Sequence, residues 1–150
     1  MTKEVVILID DDDAGHARLI EKNLRRAGLH NPVLRFENGQ DILDFLFRRG
    51  VGPHRAPGTS SLMLLDIRMP KVDGVEVLRQ LKADSELRKL PVSMLTTTDD
   101  PREVARCHEL GCHNYIVKPV DYEKFSQAVK QFGLFISLVQ VPQINAGPSG

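Results

Sequence analysis

The chain carries no excess of either charge: lysine plus arginine and aspartate plus glutamate both number 20. Without a global basic field nothing in the charge balance draws it to nucleic acid or to an anionic membrane, so its partners are chosen by local surfaces. Long apolar runs are missing too. The stretch beginning at Val5 is too short to span a bilayer, is flanked by acids and does not resemble a signal peptide, so a cytoplasmic protein is expected. Cysteine is scarce: Cys107 and Cys112 are the only two, and in a reducing compartment neither needs to be paired. There is no internal repeat and no low-complexity tract.

What is present is ordinary for one compact domain: 150 residues, 41% hydrophobic and 27% charged. Short apolar runs alternate with amphipathic segments. Five runs read as strands: "VVILI" at Val5, "VLRF" at Val33, "LMLLD" at Leu62, "VSMLT" at Val92 and "NYIVK" at Asn114. The first, third and fourth are almost wholly apolar, as strands covered on both faces are. Between them, helical spacing places Ala17, Ile20, Leu24 and Ala27 on one face, ending at Gly28. A second helix follows "ENG" with Ile42, Leu43, Phe45 and Leu46, and a third starts near Gly74 with Val77, Leu78 and Leu81 inward. "DPRE" opens a fourth: Asp100 caps, Pro101 suits the first helical position, Glu103 completes a capping box, and Gly111 ends it. A fifth runs from Asp121. Regular strand–helix alternation predicts an α/β fold, a doubly wound five-stranded parallel sheet with helices on both faces. One domain over 1–142 is expected, then a disordered tail over 143–150, where "NAGPSG" has nothing to bury. "RGVGPHRAPGTSS", Arg49 to Ser61, reads as an exposed loop.

Ligands in such folds bind outside the carboxyl ends of the strands. There the sequence sets Asp10 to Asp13 after the first strand, Asp66 after the third, Thr96 closing the fourth and Lys118 closing the fifth. Adjacent carboxylates repel, so a run of them at a strand tip has a cation or open water before it. Taken singly these residues have plain readings: helix-start acids, a turn aspartate, a surface lysine, and strand formers in Thr96 and Tyr115. Taken jointly they converge on one sheet edge. His16 reads as an exposed helix-start histidine, and "CHELGCH", Cys107 to His113, straddles a helix end and a strand start, which disfavours zinc.

The acidic pair after the first strand, "LLDIRMPKVDG" around Asp66, "MLTTTDD" around Thr96 and "YIVKP" around Lys118 resemble the response regulator receiver domain of two-component signalling. The resemblance covers roughly Lys3 to Phe135 in order and spacing. It implies a flavodoxin-like (βα)5 receiver fold and a phosphoacceptor signalling protein rather than an enzyme. It makes Asp66 the acceptor of a phosphoryl group from a histidine kinase. Asp11 and Asp12 become the Mg²⁺-binding pair, joined by Asp66 and the backbone carbonyl of Arg68; counting back from Leu19 on the first-helix apolar face sets that register. Lys118 and Thr96 are implied to contact the phosphoryl group, and Tyr115 to be the aromatic that swings when they do. Asp10 departs from the family, which mostly has an apolar residue there, and Thr97 stands where a smaller one is frequent.

"GHARLIEKNLRRAG", the long loop after the second helix, "TTTDDPREV" and "KQFGLFISLVQVP" are similar to single-domain regulators associated with bacterial phytochromes. That implies a light-regulated histidine kinase as donor. The fifth helix and tail carry Phe132, Phe135, Ile136, Leu138, Val139 and Val141, more apolar surface than one face buries, and a symmetric homodimer with each tail on the other subunit is expected. "SLVQVPQINAGPSG" is too short for a helix-turn-helix, so output through protein contact or phosphorelay is expected, without direct nucleic-acid binding. Two alternatives stand beside this. In one, the D-x-D in "IDDDDAG" resembles the nucleophile loop of haloacid dehalogenase phosphohydrolases; in the other, the chain is the receiver domain of a truncated DNA-binding regulator.

Overall fold

The computed structural model describes residues 5–26, 28–96, 100–117, 127 and 143–144. Its elements follow the alternation expected: β1 (Val5–Asp10), α1 (Ala14–Arg26), β2 (Val33–Phe36), α2 (Gly39–Phe47), β3 (Thr59–Leu65), α3 (Gly74–Ala83), β4 (Val92–Thr96), α4 (Pro101–Leu110) and β5 (Asn114–Val117). The five strands are parallel neighbours in the order β2-β1-β3-β4-β5. Such an order reverses direction between β1 and β3, and the crevice this opens at the carboxyl ends is where doubly wound sheets bind ligands.

The core explains why these segments take these forms. Alternate residues of β1 face opposite sides: Leu8 joins a large cluster with Ile42, Leu43, Leu46, Leu78 and Leu81, while Ile7 and Ile9 join Ala17, Ile20 and Leu24. Each helix is sealed at its start by a side chain. Asn38 accepts from the N–H of Asp41, Asp73 from that of Glu76, and Asp100 from that of Arg102, with Pro101 at the start of α4. Gly111 closes α4 with φ 96, where a residue with a Cβ is strained. Among the described residues no helix is long and apolar enough to cross a membrane.

Four sequence expectations need correction. Leu19 is 52% exposed, so the buried face of α1 is Ala17, Ile20, Asn23 and Leu24 rather than a stripe including Leu19. Gln143 and Ile144, expected in a disordered tail, form a short strand β6 (Gln143–Ile144) antiparallel to Ser60 and Thr59. The pairing is available because β3 runs ahead of β4: their register begins only at Met63 and Val92, leaving the first residues of β3 an open edge. β3 therefore starts at Thr59, inside the segment read as loop, and Ser60 and Ser61 are buried. Arg55 of the same segment is buried as well, its Nε donating to the Leu46 carbonyl at 2.7 Å. A one-turn 3₁₀ helix at Leu87–Lys89 was not expected; the Asp84 carboxylate organises it by accepting from the N–H groups of Glu86 and Leu87. Of the expected fifth helix only Gln127 is described, and it is helical. Phe132, Phe135, Ile136, Leu138, Val139 and Val141 lie outside the described residues, as do Ala27, Thr97 and Lys118.

Candidate functional site

The site is built at the carboxyl edge by strand ends that the register holds side by side. Asp10 is the last residue of β1 and pairs with Phe36 on one side and Leu65 on the other, which carries Asp66 to the middle of the edge. The backbone fixes it there: the Asp66 N–H donates to the Asp10 carbonyl at 3.0 Å, and the Asp11 N–H to the Phe36 carbonyl at 3.0 Å. Asp66 is 7% exposed and Asp11 is 1% exposed, whereas Asp12 is open to solvent. One carboxylate oxygen from each of Asp11, Asp12 and Asp66 lies within 4.8 Å of the others, and among the described residues this is the one His, Cys, Asp or Glu cluster able to hold a metal ion. Leu19 is exposed and off the buried face of α1, yet Asp11 and Asp12 are the pair that meets Asp66.

The environment holds these carboxylates in place. Asp11 is engaged on both oxygens, by the Asp13 N–H at 2.9 Å and by His16 Nδ1 at 2.8 Å. Its carbonyl takes two hydrogen bonds from the Arg35 guanidinium, at 3.3 and 3.0 Å. Asp13 starts α1 by accepting from the His16 N–H at 3.1 Å. The Arg68 N–H donates to Asp66 Oδ1 at 3.2 Å, while its guanidinium reaches Glu103 of α4 at 3.5 Å. That ion pair is where Glu103, expected in a capping box, directs its side chain. Asp10 is fully buried and neither of its carboxyl oxygens has a hydrogen-bond partner among the described residues. Burial first, then the charges of Asp11, Asp66, Asp41 and Asp12, push its pKa up to about 8.

Two glycines let the chain come this close. A Cβ on Gly74 would run into the backbone carbonyl oxygen of Asp66, and one on Gly39 into that of Val72. The "MPKVDG" turn thus packs directly under Asp66, with the Gly74 N–H donating to the Ile67 carbonyl at 2.8 Å.

Of the other expected site residues, Thr96 closes β4 beside Val117 of β5, one residue before Lys118. Tyr115 is half-buried against the large core cluster, its ring centroid 6.4 Å from that of His108. Burial is the main cause that pushes its phenol up to about 12. Cys107 and Cys112 are free and buried, Cys112 Sγ lying 3.8 Å from His108 Nδ1, and they form no metal cluster with the described residues. His16, read from sequence as an exposed histidine, is a half-buried partner of Asp11. Its place in the first turn of α1, five residues after Asp11, was the available signal.

Comparison with known proteins agrees with this geometry. The family model described as the response regulator receiver domain matches residues 6–130. A response regulator receiver domain from Rhodospirillum rubrum superposes with a TM-score of 0.82 at 45% identity, over 94% of this chain and 99% of that one. The bacteriophytochrome response regulator RtBRR gives 0.75 at 37% identity, over 95% and 85%. Response regulator Rcp1 of Synechocystis sp. is 30% identical over 132 residues, 86% of this chain and 88% of that protein. The Mn²⁺-bound form of response regulator Rcp1 superposes with a TM-score of 0.77 at 28% identity, over 91% and 98%.

Proposed function

Because the chain belongs to the response regulator receiver family, a family of phosphoacceptor signalling domains rather than turnover enzymes, we propose that Asp66 is its phosphoacceptor and a bacterial phytochrome histidine kinase its donor. The observation that carries the reading is the meeting of Asp11, Asp12 and Asp66 within 4.8 Å at the sheet edge. A carboxylate oxygen of Asp66 attacks the phosphorus of the kinase phosphohistidine. An O–P bond forms, the P–N bond breaks, and the imidazole leaves with the electron pair, giving an acyl phosphate on Asp66. The Arg68 N–H on Oδ1 and the Asp10 carbonyl on the Asp66 N–H hold the nucleophile's orientation.

Three carboxylates at this spacing suit a hard divalent cation that keeps several waters, and Asp11, Asp12, Asp66 and the Arg68 carbonyl would hold Mg²⁺. When bound it supplies positive charge against the phosphoryl oxygens, which is most of what phosphoryl transfer asks of a protein. The Mn²⁺-bound form of Rcp1 supports a divalent cation in this fold. Lys118 adds an ammonium and Thr96 a hydroxyl to the phosphoryl group once it is on Asp66. Tyr115, on β5 beside α4, then shifts the population of conformations of that face, which is the output surface. The phytochrome donor rests on the likeness to the bacteriophytochrome response regulator RtBRR together with the α1 and tail sequences. The haloacid dehalogenase alternative gives way to the receiver match.

The same reading includes a homodimer through Phe132, Phe135, Ile136, Leu138, Val139 and Val141. Its interface is the fifth-helix face, since Gln143 and Ile144 return to β3 of their own chain.

Phosphotransfer from a panel of autophosphorylated histidine kinases, a bacterial phytochrome among them, tests the donor. Rapid Mg²⁺-dependent transfer from the phytochrome, lost in Asp66→Asn, is expected. Transfer only from another kinase would overturn the phytochrome assignment.

A further inference from the structure

Nothing in the proposed reaction uses the Asp10 side chain. The residue is 0% exposed and both its carboxyl oxygens lack a partner among the described residues, a condition that costs stability in a metal-free fold. It lies two residues beyond Leu8 on β1, so strand alternation turns it to the same side as the large apolar cluster, where a valine or leucine would pack without that cost. Asp11 and Asp12 follow it directly in the chain and Asp66 follows its β3 partner Leu65, so the carboxyl stands among acids. A carboxyl so placed repels its surroundings unless positive charge stands among them. Among the described residues the place built to take such charge is the adjoining trio of Asp11, Asp12 and Asp66.

Asp10 itself falls outside the set of ligand atoms that lie within 4.8 Å of one another, so it is not a direct ligand. Resting on the reading of that trio as a divalent-cation site, we propose that Asp10 is a positioning residue that sets cation affinity, its carboxyl accepting a hydrogen bond from water carried by the cation. A hard cation of the Mg²⁺ or Mn²⁺ class keeps such waters, and the groups behind its ligands govern affinity nearly as strongly as the ligands. The neighbouring backbone makes the coupling direct. The Asp10 carbonyl holds the Asp66 N–H, so restraint on Asp10 is restraint on Asp66.

The test uses the full chain, stripped with a chelator, as wild type, Asp10→Val, Asp10→Asn and, as control, Asp12→Asn. Mg²⁺ and Mn²⁺ are titrated calorimetrically, and thermal melts are recorded with and without Mg²⁺. Asp10→Val should bind the cations about 10-fold or more weakly, and should melt higher than wild type when metal-free. Asp10→Asn, which keeps an oxygen acceptor but no charge, should lose less affinity. Wild-type affinity in Asp10→Val would overturn the proposal whatever its melting temperature, leaving Asp10 a buried acid only. If Asp12→Asn also bound like wild type, the cation-site reading itself would fail, and the Asp10 proposal with it.

Discussion

The carboxyl of Asp10 gives the metal-free protein a pH signature of its own. Burial and the surrounding acids hold its pKa at about 8 in the folded chain, whereas in the unfolded chain it titrates near the ordinary aspartate value, roughly 4. Between those limits the folded state keeps a proton that the unfolded state releases, so the Asp10 contribution to stability is greatest below about pH 4 and is lost as pH rises to about 8. Urea denaturation in chelator across this range should show wild type losing stability that Asp10→Val does not lose. Parallel profiles for the two proteins would mean that Asp10 does not hold its proton. The sequence announced an acid run but not this division of labour within it. Asp10 continues the strand and is buried, Asp11 and Asp12 turn to the site, and Asp13 starts α1. Four identical letters carry no such distinction; only the point at which the strand stops pairing supplies it.

Gly74 joins site to element. The start of α3 is seated so close beneath Asp66 that an added Cβ meets the Asp66 carbonyl and the Ile67 Cα. Gly74→Ala should destabilise the fold by about 1–3 kcal/mol, as overpacking does, and should slow phosphorylation by displacing Asp66. Denaturation midpoints and single-turnover transfer rates measure the two effects, and an unchanged midpoint would contradict the packing described. Elements with strong local signals were legible in advance. The Asp100–Pro101 start and Gly111 end of α4 stand where the letters put them, because caps and breakers act within one turn. The start of β3 was not legible. Thr59, Ser60 and Ser61 look like loop residues, and only the arrival of Gln143 and Ile144 from far along the chain gives them a strand partner. Arg55 is similar: its burial depends on the Leu46 carbonyl, nine residues earlier, which no local pattern encodes.

Over the whole molecule, parallel strands in the order β2-β1-β3-β4-β5 bring residues separated by more than a hundred positions to one edge, and the site exists only through that topology. The alternation of strands and helices made this arrangement readable, since parallel neighbours admit few topologies. Assembly is the other property of this scale. If the fifth-helix face joins two copies, the full chain should sediment as a dimer and the chain ended after Phe132 as a monomer. A truncated chain that remains dimeric would remove Phe135, Ile136, Leu138, Val139 and Val141 from the interface. The central claim is that one carboxylate of this edge, Asp66, receives the phosphoryl group with the help of a divalent cation. The most direct measurement is peptide mapping by mass spectrometry after phosphotransfer, with the acyl phosphate trapped by reduction, in the presence and absence of Mg²⁺. Modification at Asp66 alone, and only with Mg²⁺ present, is the predicted result; modification at Asp11 or Asp12, or equal modification after chelation, would contradict it.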